Sequence, residues 1–234
     1  MGFFGLDWTI LLLIAGAVIT SIARSKLNMT YSKYAAVQSR TGVTGAETAR
    51  RILAANGIFD VTVQPVSGSL TDHYNPKDKT LNLSEGIYGS SSIAAIGVAA
   101  HECGHAIQDS TEYAPLRFRT AIVPVVNFGS KLAIPCILAG LLFGAGGLSV
   151  LIEVGIILFA LTVFFQLVTL PVEYNASSRA LTQIETLGLV TPDEKSGAKS
   201  VLSAAALTYV ASALASILSL LRLSILFGGN RRRR

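Results

Sequence analysis

Residues 120–172 read TAIVPVVNFGSKLAIPCILAGLLFGAGGLSVLIEVGIILFALTVFFQLVTLPV, and Lys131 and Glu153 are the only charges among them. A helix needs ~20 predominantly apolar residues to cross the hydrocarbon core of a bilayer. The run is long enough for two crossings, and Gly144, Gly146 and Gly147 cluster near its middle, where a turn belongs. The stretch therefore predicts a transmembrane hairpin over 120–172. Lys131 falls about 20 Å along its helix from that turn, within snorkelling reach of the opposite face.

The rest of the chain fits a membrane protein. Of its 234 residues, 51% are hydrophobic and 14% charged, too apolar a balance for an ordinary soluble domain. Trp8–Ala23 carries no charge, and Phe3, Phe4 and Leu6 extend the apolar stretch past Asp7. With no basic start and no small-residue cleavage site before Arg24, residues 1–23 read as a transmembrane anchor rather than a cleaved signal. A last uncharged run, Val201–Leu221, follows Thr191-Pro192-Asp193-Glu194, where threonine caps, proline suits the first helical position and glutamate completes a capping box. That helix either crosses the bilayer or packs its alanine-rich start beneath the polar domain.

Charge orients the chain. The formal charge of +5 includes the terminal run Arg231–Arg234, and the remainder is nearly balanced, which argues against nucleic-acid binding. Arg24–Arg119 holds ten of the nineteen basic residues, so the positive-inside rule places this segment in the cytoplasm. The same rule applied to the terminal arginines conflicts with a crossing by the last helix. Only Cys103 and Cys136 are present, which excludes a disulfide framework.

The polar segment has its own pattern. Thr44-Gly45-Ala46-Glu47 is a capping box that opens a helix ending near Asn56-Gly57. Val61–Val66 and Thr80–Ser84 alternate as strands do, and Asn75-Pro76-Lys77-Asp78 supplies turn chemistry, so a small β-hairpin or sheet is expected. Serines 90–92 offer caps for a helix through Ile93 and Ile96 to about Gln108. The chain thus divides into an anchor (1–23), a cytoplasmic α+β domain (24–119), the hairpin (120–172), a short segment (173–199), and a C-terminal apolar helix with a basic tail (200–234).

The helix ending near Gln108 carries His101-Glu102-Cys103-Gly104-His105. Residues four apart share a helix face, so the two histidines project together, with Glu102 one step around and able to reach a metal-bound water. Catalytic zinc takes three protein ligands and leaves a fourth position open. Two candidates exist for the third ligand: His73, in Thr71-Asp72-His73-Tyr74, and Glu173, which opens Glu173-Tyr174-Asn175-Ala176 after Pro171, a residue suited to beginning a helix. Two crossings return Glu173 to the side of the membrane that holds His105. The set His101, His105 and Glu173 is thereby permitted, and His73 is left to the surface or the substrate site.

Ala100–Gln108, Leu70-Thr71-Asp72-His73-Tyr74, Leu83-Ser84-Glu85 and Leu170-Pro171-Val172-Glu173-Tyr174-Asn175-Ala176-Ser177 together resemble the YugP-like membrane zinc metallopeptidases over nearly the whole chain. That resemblance implies a bacterial multi-pass membrane protein, mainly α, with three or four transmembrane helices and a small α+β zincin-like domain. It implies one zinc per chain, with glutamate as third ligand, in a site similar in design to those of HtpX-like and CAAX-prenyl-protease enzymes. Those relatives commonly place an aspartate four residues after the ligand glutamate, where Ser177 stands here. Asn175, Ser177 and Arg179 are then the candidates to support the ligands.

The expected reaction is hydrolysis of a peptide or protein substrate at the cytoplasmic face of the cell membrane, with Glu102 as general base. His73, Tyr74, Tyr113, Tyr174 and Arg179 are the possible oxyanion donors, and an extended substrate would add to Leu81–Ser84 if that edge faced the zinc. Cys103 points off the ligand face and reads as packing. The rival readings are a non-enzymatic metal-binding scaffold or chaperone and, from Lys131 and Glu153, a transporter.

Overall fold

The computed structural model describes residues 7–143 and 150–228. Phe3, Phe4, Leu6, the glycine cluster and the four terminal arginines lie outside the described residues. The elements are α1 (Ile10–Ala35), α2 (Gly45–Ala55), β1 (Thr62–Val66), β2 (His73–Asn75), β3 (Thr80–Ser84), α3 (Glu85–Tyr88), α4 (Ile93–Ser110), α5 (Ala114–Phe143), α6 (Val150–Thr186) and α7 (Pro192–Gly228). The chain is mainly helical and falls into two compact units.

One unit comprises residues 1–23, 118–170 and 208–234. It draws on α1, α5, α6 and α7, the four helices long and apolar enough to cross a membrane. Small residues bring these helices close: a Cβ on Gly155 would lie 2.7 Å from the carbonyl oxygen of Ala133, and one on Gly16 would lie 3.2 Å from Cα of Ala215. Glycine lets helix backbones approach where no hydrophobic effect between apolar helices is available to drive association. Leu11, Ile14, Val18, Val125, Phe128 and Ile157 are exposed. Apolar side chains presented outward from helices of this length are those of a membrane protein.

Pro171, read from sequence as a helix start, lies inside the continuous α6. An interior proline forfeits one backbone hydrogen bond, which costs about 3 kcal/mol in a soluble helix. Membrane helices tolerate such breaks because neighbouring groups satisfy the freed carbonyl. Pro124 and Pro135 likewise lie inside α5.

The other unit comprises residues 24–117 and 171–207. Its core packs Ile52, Leu81, Leu83, Ile87, Ile96, Cys103 and Ile184 with Ala198 and Leu202 of early α7. Thr44 caps α2 by accepting from the N–H of Glu47 at 3.2 Å, and Ser92 caps α4 by accepting from the N–H of Ala95 at 3.1 Å. At the start of α7 the box runs the other way, with the N–H of Thr191 donating to Glu194 at 2.9 Å.

Three strands form the sheet in the order β1-β3-β2. β3 runs parallel to β1, with Thr62 opposite Thr80, and antiparallel to β2, with His73 opposite Asn82. The segment Asn75–Asp78 therefore turns a hairpin between β2 and β3. β3 is central: Thr80–Ser84 pairs with β1 and Thr80–Asn82 with β2, and the N–H of Ser84 donates to Asp72 Oδ1 at 2.7 Å, so Leu81–Ser84 is not the free edge that the sequence had suggested for a substrate strand. The edges are β1 and β2, and β2 is the strand that reaches α4, where the N–H of Tyr74 meets Glu102.

Candidate metal centre

The helical repeat puts His101 and His105 on one face of α4, their rings 4.9 Å apart and nearly perpendicular. α6 brings Glu173 to that face. His101 Nε2 lies 3.2 Å and His105 Nε2 lies 3.6 Å from Glu173 Oε2. Ligand atoms of His101, His105 and Glu173 all lie within 4.8 Å of one another, and among the described residues this is the one group of three with metal-ligating chemistry. Glu173 is buried, whereas the histidine side chains keep 15% and 12% of their surface exposed.

A glycine makes the approach possible. A Cβ on Gly104 would stand 2.4 Å from the carbonyl oxygen of Ala176. Only a hydrogen fits between α4 and this part of α6, and any side chain at 104 would push the helices, and the ligands on them, apart.

Each imidazole is fixed from behind. Ser177 Oγ lies 3.1 Å from His101 Nδ1, and Gln108 Oε1 lies 3.0 Å from His105 Nδ1. A neutral imidazole donating Nδ1–H to these oxygens would turn its Nε2 lone pair toward the Glu173 side, the tautomer that metal binding requires. Gln108 is fully buried, and its amide N–H groups donate to the carbonyl of Val172 at 2.8 Å and to Asn175 Oδ1 at 3.0 Å. Arg179 Nε donates to the same Asn175 oxygen at 2.8 Å, and its guanidinium lies 5.8 Å from the Tyr113 ring centroid. Asn175, Ser177 and Arg179 thus stand around the ligands. Gln108, not singled out from sequence, stands there as well. Its signal was its spacing, three residues after His105 and hence on the same face.

The electrostatics of His105 are those of a ligand beside carboxylates. Burial works against its protonated form, but hydrogen bonding to Glu173, the charges of Glu102 and Glu173, and the Gln108 bond raise its pKa above the usual imidazole value. Cys103 behaves differently. Burial, then the charge of Glu102, push its thiol pKa well up, and its Sγ lies 3.6 Å from the Ala49 carbonyl, as the packing role requires.

Glu102 is buried and accepts the Tyr74 backbone N–H at 3.0 Å. Tyr74 is held in turn by its hydroxyl, which donates to Asp109 Oδ2 at 2.8 Å, and Lys79 Nζ contacts the same oxygen at 2.7 Å. Burial and that hydrogen bond raise the Tyr74 pKa, so the phenol stays neutral and engaged. His73 lies outside the cluster: its Nδ1 is 2.8 Å from the Thr71 carbonyl and its Nε2 is 3.2 Å from Asn82 Nδ2. Tyr174 is half exposed, at 52%.

The profile of a protein family described as "Putative neutral zinc metallopeptidase" matches residues 9–228. The chain belongs to this family. It is also 50% identical over 218 residues to a protein of Bacillus subtilis (strain 168) named "Putative membrane protease YugP", covering 93% of this chain and 96% of that protein. No solved structure matches it. For a member of a zinc metallopeptidase family, two imidazole nitrogens and one carboxylate oxygen form a donor set of the kind that suits catalytic zinc. The paired Nδ1 contacts fit the same metal, since zinc needs oriented imidazole lone pairs.

Proposed function

We propose that this protein is an integral-membrane zinc endopeptidase in which His101, His105 and Glu173 hold the metal and Glu102 is the general base. The observation that carries the reading is the meeting of those three ligand atoms within 4.8 Å, two of them on the helix that also bears Glu102 and the third on α6. Zinc held there would supply a water of lowered pKa, near ~7, and a Lewis acid for the scissile carbonyl.

The protein's own groups then divide the work. Glu102 takes the proton from the attacking water as oxygen bonds to the carbonyl carbon, and it delivers that proton to the amine as the carbon–nitrogen bond breaks. The Tyr74 N–H fixes one Glu102 oxygen and leaves the other for the water. Ser177 and Gln108 keep the histidines in the ligating tautomer. The small domain that carries these groups is zincin-like in its pairing of a motif helix with an edge strand. Ten of nineteen basic residues lie between Arg24 and Arg119, which supports a cytoplasmic location for it.

Metal analysis and cleavage assays on the purified full-length chain test this reading. Wild type retains zinc and cleaves an unfolded or membrane-protein substrate. Glu102→Gln keeps the zinc and loses about 10²–10⁴-fold in turnover, the usual contribution of a positioned base. Glu173→Ala loses the zinc. Undiminished turnover in Glu102→Gln, or zinc content unchanged in Glu173→Ala, overturns the corresponding assignment.

A further inference from the structure

A groove of about 560 Å³ lies between the second half of α1 and the first half of α7, away from the residues of the metal centre. Its walls are two polar stripes at helical spacing. Lys26, Thr30 and Lys33 line one, four and three residues apart along α1, and Lys199 and Ser200 line the other with Ser203. No carboxylate lines the groove.

The two helices are held together at this place. A Cβ on Gly197 would stand 2.7 Å from Tyr34 Cε1, so the tyrosine ring sits directly on the α7 backbone. Lys33 Nζ lies 5.2 Å from the centroid of that ring. The nearby acids are engaged elsewhere: Asp193 with Arg40, Glu194 with Ser39 and the Arg40 N–H, Glu185 with Lys195. Among the described residues, no carboxylate comes within 4 Å of the ammonium groups of Lys26, Lys33 or Lys199. Three cations gathered without a counter-charge repel one another unless an anion joins them.

The place of these lysines along the chain indicates which anion. Lys26 follows the uncharged Trp8–Ala23 run by three residues, and Lys199 is the last charge before a run that stays uncharged to Arg222. On both helices the groove begins where the sequence turns apolar, the level at which a bilayer presents its phosphates. We propose that this groove binds the phosphate of an acidic phospholipid headgroup, with Lys26, Lys33 and Lys199 as donors and the hydroxyls beside them completing the contacts. The proposal stands apart from the peptidase reading, since it uses none of that site's residues.

Lipid retention by the full-length protein in detergent, read by native mass spectrometry with phosphatidylglycerol against phosphatidylcholine, tests it. Wild type prefers phosphatidylglycerol by about 100-fold, the contribution expected of three lysines at a membrane surface. The triple variant Lys26→Gln/Lys33→Gln/Lys199→Gln loses that preference, and replacement of the same three by arginine keeps it. Arg50→Gln/Arg51→Gln/Lys77→Gln removes as many exposed charges elsewhere and also keeps it. A second arm adds inorganic phosphate alone and follows thermal unfolding. Stabilisation by phosphate without any lipid preference makes the ligand a soluble phosphate and overturns the lipid assignment. Equal retention of the two lipids by wild type with no phosphate effect, or a preference that survives in the triple glutamine variant, overturns the site.

Discussion

The backbone N–H of Tyr74 donates to Glu102 Oε2 at 3.0 Å, joining the edge strand of the sheet to the helix that carries both histidines. A backbone donor cannot rotate away, so it fixes the reach of the carboxylate. Glu102→Asp shortens the side chain by one methylene, and on the proposed mechanism the shorter carboxylate cannot hold the N–H and serve the attacking water together. Turnover falls by about 10²-fold or more while bound zinc is unchanged. Cleavage rates set beside metal content check this, and wild-type turnover in the aspartate variant would show that the base is not held at that position.

The hydroxyl of Ser177 lies 3.1 Å from His101 Nδ1. Ser177→Ala leaves that N–H without its oxygen and weakens zinc binding by about 10–100-fold. Ser177→Asp supplies a charged acceptor and tightens binding beyond wild type. Chelator competition orders the three as aspartate, serine, alanine, and any other order removes Ser177 from the support of His101.

Gln108 joins His105 to α6 through three contacts. Gln108→Ala removes the second donor to the buried Val172 carbonyl, leaves a small cavity and frees the His105 ring. The expected loss is about 1–3 kcal/mol of stability together with a 10–100-fold loss of zinc affinity. Gln108→Glu keeps an acceptor for His105 but has no N–H to give, so it recovers affinity more than stability. Thermal unfolding of the metal-free protein separates the two effects.

Asp109 gathers the Tyr74 hydroxyl and Lys79. Burial opposes its ionised form, but the bonds from Lys79 and Tyr74 and the Lys79 charge outweigh it, and the pKa is lowered. A carboxyl whose folded pKa lies below its unfolded value stabilises the fold above the unfolded pKa, ~3.9, and that contribution fades as pH falls through the folded value. Asp109→Asn therefore melts lower than wild type near neutral pH, and the gap narrows below about pH 4. A gap independent of pH would assign the loss to packing.

The parts of the molecule set by local chemistry were legible in the sequence. Thr44 and Ser92 cap the helices they precede, and the uncharged runs became long apolar helices. His101, His105 and Glu173 came together, as the spacing and the two intervening apolar runs permitted. What escaped notice depends on contacts distant in the chain. β2 is three residues long, too short for alternation to register, and its partner decides which edge of the sheet is left open. Pro171 reads locally as a helix start and is overridden by apolar continuity through α6. Gln108 looked like the polar end of a helix until Val172 and Asn175, more than sixty residues later, gave its amide a purpose.

The pairing of His101 with Glu173 spans 72 residues of chain. At ~5–20 residues per second, a ribosome takes about 4–14 s to travel from one to the other. Throughout that interval the nascent protein displays both histidines and Glu102 but has not yet made the residue that completes the donor set. The last ligand is synthesised only after α1 and both apolar hairpin segments, so the sequence order itself delays completion of the donor set until most of the membrane-spanning length has been made. Under the proposed function, hydrolysis is thereby withheld from a half-made chain.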